Sequence, residues 1–371
     1  MDYNATAPLR SEAREAVIAA SYMVGNPSSV HAEGRAARAL IDQARRDVGD
    51  LIGAAAASVT FTGSGSEANV TVLTPHWDQQ GQPVTFEHLV VSAVEHPSVL
   101  RGGRFAEGAI TVAPVDGEGV VDAAALQHIL HGLGGPALVS VMVANNETGV
   151  LQPISEIARV VHEAGGLVHA DAVQAAGKIA LDVASLGADV MTLSAHKLGG
   201  PRGVGAVVRA PGAPSFRPLI TGGGQESRRR AGTEDVAAIA GFGAVARISA
   251  PDAARVGIWR DMIDAIRRAI GNEAVVFGGS AASLPQTLCF GIAGRSAETL
   301  VIALDLAGVA VSSGSACSSG KVSASHVLQA MGAPQDAARS AIRVSLGWNS
   351  SQKDVDMFAQ AWRNVISHPS Q

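Results

Sequence analysis

Short apolar runs alternate with stretches of helical period along most of this chain. The runs at 59–62, 89–93, 110–113, 137–143, 167–170, 189–194 and 204–209 read as strands, because each is brief, rich in Val, Ile or Leu, and bounded by turn residues. Helical patterns lie between or before them. They cover 11–23 with Ser11 as N-cap, 31–51, a segment following 63–69, 97–104, 121–131 starting near Asp122, and 154–164. In the helix 31–51 the predicted apolar stripe is Ala36, Leu40, Ala44, Val48 and Leu51. Strands alternating with helices predict an α/β layer of the doubly wound kind. The pattern changes near Ala250-Pro-Asp252, where a smaller unit begins, with a helix at 254–270, strands at 274–277, 287–292 and 309–312, and a last helix from about 353.

Composition narrows this picture. Apolar residues make up 47% of the 371 positions but aromatics only 4%, so the core must be aliphatic, which suits a parallel sheet covered by helices. The net charge of −5 offers no electrostatic case for nucleic acid or an anionic membrane. With neither a signal-peptide pattern nor an apolar run long enough to span a bilayer, a globular cytoplasmic protein is expected. Cys289 sits in an apolar strand-like run and reads as an inert core thiol. Cys317, in Ser312-Ser-Gly-Ser-Ala-Cys-Ser-Ser-Gly320, lies among small polar residues, the setting in which a thiol reacts.

The polar residues that packing does not need fall just after strands. They are His96, Asn146, Asp171 with Gln174, and Ser194, His196 and Lys197. The chain has four lysines against 24 arginines, so Lys197 stands out. A partly desolvated lysine can lose its proton and attack a carbonyl, which arginine cannot. A Schiff-base lysine, an aspartate at a strand end and an anion cup at a helix N-terminus (Gly65, Ser66) are what pyridoxal phosphate requires. Taken singly, His96 also reads as a helix-entry residue, Asn146 as a turn former, Asp171 as an N-cap and Gly65-Ser66 as a tight turn.

Together, Ser-Ala-His-Lys197-x-x-Gly-Pro-Arg-Gly-Val-Gly, His169-Ala-Asp171-Ala-Val-Gln174, Val143-Ala-Asn-Asn146-Glu-Thr-Gly, Gly25-Asn-Pro-Ser, Glu95-His96 and Ser312-Ser-Gly-Ser-Ala-Cys317 closely resemble the cysteine desulfurases of the NifS/IscS type. These belong to the class V aminotransferases among the fold-type I pyridoxal-phosphate enzymes. The resemblance runs in order from Asp2-Tyr-Asn to Arg343-Val-Ser-Leu-Gly347. It implies a large, mostly parallel α/β/α domain over 14–250, and a small α+β domain from 1–13 and 251–371 that carries the cysteine loop. Since the chain starts so near its first motif, its first strand is expected to fray.

Position by position, the resemblance implies that Lys197 binds the cofactor aldehyde, Asp171 faces the pyridine nitrogen, Gln174 donates to the phenolic oxygen and His96 stacks on the ring. Gly65, Ser66, Ser194 and His196 resemble phosphate ligands, and Thr233 resembles the residue that reaches the phosphate of a neighbouring subunit in a homodimer. Asn146 and Arg343 resemble the clamp on the substrate carboxylate, and Asn146 also borders the cofactor. Cys317 resembles the nucleophile that takes sulfur from L-cysteine, leaving alanine and a persulfide for an acceptor such as an iron–sulfur scaffold. The alternatives are another enzyme of the same fold, an aminotransferase or selenocysteine lyase, or a scaffold that binds without catalysis. His169 and the arginines of the helix 31–51 are expected to be structural, and Arg228–Arg230 either solvated or in contact with a partner.

Overall fold

The computed structural model describes residues 1–250, 253–314 and 325–367. Among the described residues the strands are β1 (Val59–Thr62), β2 (His76–Gln79), β3 (Gln82–Thr85), β4 (His88–Ser92), β5 (Ile110–Ala113), β6 (Ala137–Met142), β7 (Leu167–Asp171), β8 (Val190–Ser194), β9 (Gly205–Arg209), β10 (Ser215–Phe216), β11 (Val275–Val276), β12 (Thr287–Gly291), β13 (Ser312–Ser313) and β14 (Ile342–Ser345). Seven of them form one sheet in the order β1-β9-β8-β7-β6-β4-β5. Its inner pairs β8-β7, β7-β6, β6-β4 and β4-β5 are parallel, and β9 alone runs against its neighbours. Every residue of β6 and β8 is buried, as expected where helices cover both faces.

A smaller sheet, β11-β12-β14-β13, is antiparallel and has its own apolar cluster with the helices Ala253–Ile270, Ala297–Leu306 and Gln352–Ser367. Few as the aromatics are, several gather here. Phe290 packs edge-on against Trp362 with centroids 5.2 Å apart, and Phe358 stacks on Trp362 at 6.0 Å. The expected fraying at the N-terminus does not occur. Asp2 bridges to Ser345, the Ser345 N–H donates to Met1 O at 2.9 Å, and Asn4 is buried.

Several expectations are corrected by packing. The helix Ala32–Leu51 buries Gly34, Ala37, Ile41, Ala44 and Val48, whereas Ala36 is exposed and Leu40 only half-buried. The true stripe is the one with the smaller residues, because this helix lies close against Val236–Ile248, where a Cβ on Gly243 would sit 2.5 Å from Ala44 Cα. Arg10, not Ser11, is the N-cap of Ser11–Ser21, since the Ser11 hydroxyl turns to Glu12. The helix expected at 97–104 stops at Leu100, because Gly102 and Gly103 take φ of +72° and +58°. The strand expected at 309–312 shrinks to Ser312–Ser313, because the Val309 N–H is spent closing the preceding helix on Leu304 O at 2.8 Å. The β10-β2-β3 sheet and the helix Ala297–Leu306 are not among the predicted elements.

Candidate functional site

Because β1, β4, β6, β7 and β8 share one direction, their C-terminal ends open on one edge of the sheet, where α/β folds place ligands. A cavity of about 480 Å³ lies there, large enough for a cofactor-sized ligand. Its lining includes Gly65, Ser66, His96, Asn146, Asp171, Gln174, Ser194, His196, Lys197 and Arg343. Strand order in the large sheet gathers most of these residues at one mouth, and Arg343 reaches it from β14 of the smaller sheet.

One end of the cavity suits an anion. The helix Gly65–Val72 begins there, with Ser64 as N-cap accepting from Glu67 N at 3.0 Å. Gly65 must be small, because a Cβ would meet Ser194 Cβ at 3.1 Å and Val173 Cγ2 at 3.2 Å. Gly205 lets β9 approach this turn, where a Cβ would lie 2.5 Å from the carbonyl carbon of Ser64. His196, on the short turn after β8, meets the Thr6 hydroxyl at 3.2 Å. Burial first, then Lys197, Arg202 and Lys178, pulls its pKa down to about 4, so its ring is neutral near pH 7. Lys197 Nζ donates to the main-chain oxygens of Asn4 and Ala5, at 2.5 and 2.9 Å.

Asp171 also lines this cavity. One of its oxygens accepts from the Val173 N–H at 2.9 Å and the other from Asn69 Nδ2 at 2.8 Å. His96 is the N-cap of Pro97–Leu100 as well as a lining residue, so the helix-entry and site readings both hold geometrically. Its Nδ1 accepts from the Ser98 N–H at 3.1 Å and lies 2.8 Å from the Ser98 hydroxyl. The proton of the neutral ring therefore sits on Nε2. Burial lowers the His96 pKa, with Asp171 opposing the shift and Lys197 and His326 adding to it.

Arg343, 2% exposed, lines the cavity as well. It donates to Asn146 O at 2.7 Å, Asp2 Oδ1 at 2.7 Å and Ser312 Oγ at 3.0 Å. Among the described residues its Nε finds no partner, a buried donor left for an anionic ligand. Gln174 is oriented by Lys178, whose Nζ donates to Gln174 Oε1 at 2.8 Å, while Gln174 Nε2 donates to Asn4 O at 3.0 Å.

Two expected site residues are not gathered here. Thr233 is exposed and lines a separate cavity with Glu226 and Arg230. Cys317 lies outside the described residues. Cys289 is fully buried, and burial pushes its thiol far up, as an inert core residue requires. Of the arginine run, Arg230 pairs with Glu67 at 2.9 Å, and Arg45, one of the helix arginines expected to be structural, holds Glu226 with both its terminal nitrogens at 2.6 and 2.7 Å. Asn4, Asn69, Lys178 and Arg202 were not anticipated. Asn69 had a usable signal, since it falls four residues after Gly65 and hence on the same face of the helix that opens at the cup.

A fold that brings a lysine, a carboxylate and a helix N-terminus to one cavity defines an enzyme site for an anionic, aldehyde-bearing cofactor. The chain belongs to the aminotransferase class-V family, whose model matches residues 1–358. It is 40% identical to a cysteine desulfurase of Cereibacter sphaeroides, over 99% of this chain and 95% of that one. Among solved structures it is similar to a NifS-like protein from Rickettsia africae, with a TM-score of 0.89 and 31% identity over 99% of both chains. A structure described as SspA in complex with cysteine matches with a TM-score of 0.76 and 27% identity, over 93% of this chain and 97% of that one. Members of the family are pyridoxal-phosphate enzymes. The residues present fit that group, with a primary amine at Lys197, a carboxylate at Asp171, and a cradle at Gly65 that a Cβ would fill. No helix among the described residues is long and apolar enough to cross a membrane.

Proposed function

We propose that this protein is a pyridoxal-phosphate-dependent cysteine desulfurase that takes sulfur from L-cysteine, releases L-alanine and passes the sulfur to an acceptor protein. The observation that carries this reading is the convergence of Lys197, Asp171, His96 and Arg343 on one cavity. Gly65, Ser66, Ser194 and His196 would hold the cofactor phosphate, Asp171 its ring nitrogen, Gln174 its phenolic oxygen, and Lys197 its aldehyde carbon. When bound, the cofactor supplies an electron sink for the charge left by deprotonation at Cα.

The chain's own groups do the rest. Arg343 binds the carboxylate of the amino acid through its open Nε, next to Asn146. Once displaced from the cofactor, the Lys197 amine is the base that takes the Cα proton. His96 serves as a donor, because its Nδ1 is occupied by Ser98 and its proton is on Nε2. The Cys317 thiolate bonds to the substrate sulfur as the Cβ–S bond breaks. The bonding pair goes to Cβ, which is protonated to the methyl group of alanine, so L-cysteine and the Cys317 thiol become alanine and a Cys317 persulfide.

The same reading includes a cytoplasmic homodimer in which exposed Thr233 reaches the phosphate of the neighbouring subunit, and an iron–sulfur scaffold as acceptor. It also includes a large domain over 14–250 and a small one from 1–13 and 251–371. The separate apolar cluster around β12 and β14, with Met1 packed against it, supports that division. The test is turnover of L-cysteine with a thiol reductant, giving alanine and sulfide in equal amounts. Cys317→Ser should keep the cofactor absorbance but form no persulfide; retained desulfuration in that variant excludes Cys317 as the sulfur carrier.

A further inference from the structure

Behind Asp171 a line of polar side chains runs through the sheet where apolar residues would pack more cheaply. Asn69 Nδ2 donates to Asp171 Oδ2 at 2.8 Å, and the Thr192 hydroxyl donates to Asn69 Oδ1 at 2.6 Å. His169 Nε2 lies 3.0 Å from the same hydroxyl, and His169 Nδ1 lies 2.8 Å from Ser140 Oγ. Ser140, His169 and Thr192 are wholly buried, and Asn69 is 2% exposed.

The direction of every bond follows from one fact, that a carboxylate only accepts. Asn69 must therefore turn its amide nitrogen to Asp171 and its oxygen to Thr192. Thr192 spends its single proton on that oxygen, so its own oxygen can only accept, and the proton of neutral His169 must be on Nε2. Nδ1 then accepts from Ser140. Burial lowers the His169 pKa to about 4, which keeps the ring neutral. Each bond thus points its positive end toward Asp171. Asn69 has a second amide proton, which goes to Ser98 Oγ at 2.9 Å, and that hydroxyl faces His96 Nδ1. The side chain of Asn69 therefore holds the residue at the ring nitrogen and the residue at the ring face together.

We propose that Asn69, Thr192 and His169 are positioning residues, a directed hydrogen-bond relay that holds Asp171 aligned toward the ring nitrogen and fixes the tautomer of His96. This rests on the reading that Asp171 faces that nitrogen. Two pairs of variants test it on the full-length protein, Thr192→Val against Thr192→Ser and His169→Leu against His169→Gln. Serine keeps the hydroxyl, and glutamine keeps a donor near the place of Nε2. The readouts, taken without substrate, are the affinity of the cofactor-free protein for pyridoxal phosphate and the pH dependence of the visible absorbance band. Melting of the cofactor-free protein is measured in parallel, so that only variants that fold are compared.

Thr192→Val and His169→Leu should weaken cofactor binding about 5- to 10-fold, the effect of one buried hydrogen bond, and shift the absorbance titration. Thr192→Ser and His169→Gln should remain within about twofold of the parent. Asp171→Asn is the control. If it alters both readouts while Thr192→Val and His169→Leu alter neither, the relay is refuted and the Asp171 assignment stands. If Asp171→Asn leaves both unchanged, the assignment falls and the relay with it. Loss in Thr192→Val without recovery in Thr192→Ser shows a packing effect and also refutes the relay.

Discussion

The guanidinium of Arg343 and the carboxylate of Asp2 meet at 2.7 Å across 341 positions of chain, so the first residues of the protein help to hold the residue at the mouth of the cavity. Arg343 has little solvent to fall back on, whereas the Asp2 side chain is 26% exposed. Removing the acid leaves a buried cation with fewer partners. Asp2→Asn should lower stability by about 1–3 kcal/mol in chemical denaturation. Arg343→Lys should raise KM for L-cysteine at least tenfold, about 1.4 kcal/mol, with the cofactor absorbance unchanged, because a lysine cannot reproduce the planar fork.

Gly205 is tested separately. A methyl group there would lie 2.5 Å from main-chain carbon at the turn that opens the anion cup. Since the obstacle is backbone, it cannot rotate away. Gly205→Ala should weaken cofactor binding by at least tenfold and cost about 1–3 kcal/mol of stability, read by equilibrium dialysis and thermal melting.

Glu95 is a buried acid beside the site. One oxygen accepts from the Met142 N–H at 2.7 Å and from Ser92 Oγ at 2.8 Å, while the other has no partner among the described residues. Burial pushes its pKa up to about 8, against the lowering effect of these bonds. A carboxyl group whose pKa is raised on folding contributes stability below its unfolded pKa of 4.5 and loses it as pH rises through about 8. Stability should therefore fall between pH 5 and 8 by an amount on the order of a few kcal/mol. Glu95→Gln should flatten that slope in urea titrations taken across the range.

Arg45 and Glu226 form a two-nitrogen pair whose side chains are 13% and 1% exposed. Glu226 also accepts from the Phe61 N–H at 2.9 Å, and it begins a run of three left-handed residues with φ of +48°, +55° and +65° at Glu226, Ser227 and Arg228. The ion pair holds a conformation that L-residues avoid. Arg45→Met should destabilise the protein by about 3–5 kcal/mol, read by denaturant unfolding, and expose the loop 222–230 to protease.

Some of this was written in the chain's local pattern. The strands β4 to β9 and the residues at their ends are legible because strands buried on both faces are mostly apolar, so the polar residues that cluster just after them mark the sheet edge. That logic places His96, Asn146, Asp171 and Lys197 without any knowledge of pairing. The motif order then supplies the chemistry. What local pattern could not supply is which neighbours those residues meet. Asn69, Thr192 and His169 belong to a helix and two strands, and nothing in their spacing says that their polar atoms share one line. Nor does local pattern choose between Ala36 and Ala37, since both fit a helical period and only the approach of Val236–Ile248 favours the stripe of smaller residues. Nor does local pattern single out Asn4 and Lys178, whose mutual hydrogen bond spans 174 positions of chain. The sequence by itself determined the elements and the reactive groups, because these depend on neighbours in the chain. The tertiary structure decided tautomers, hydrogen-bond direction and pKa shifts, because these depend on burial and on partners that only folding brings together.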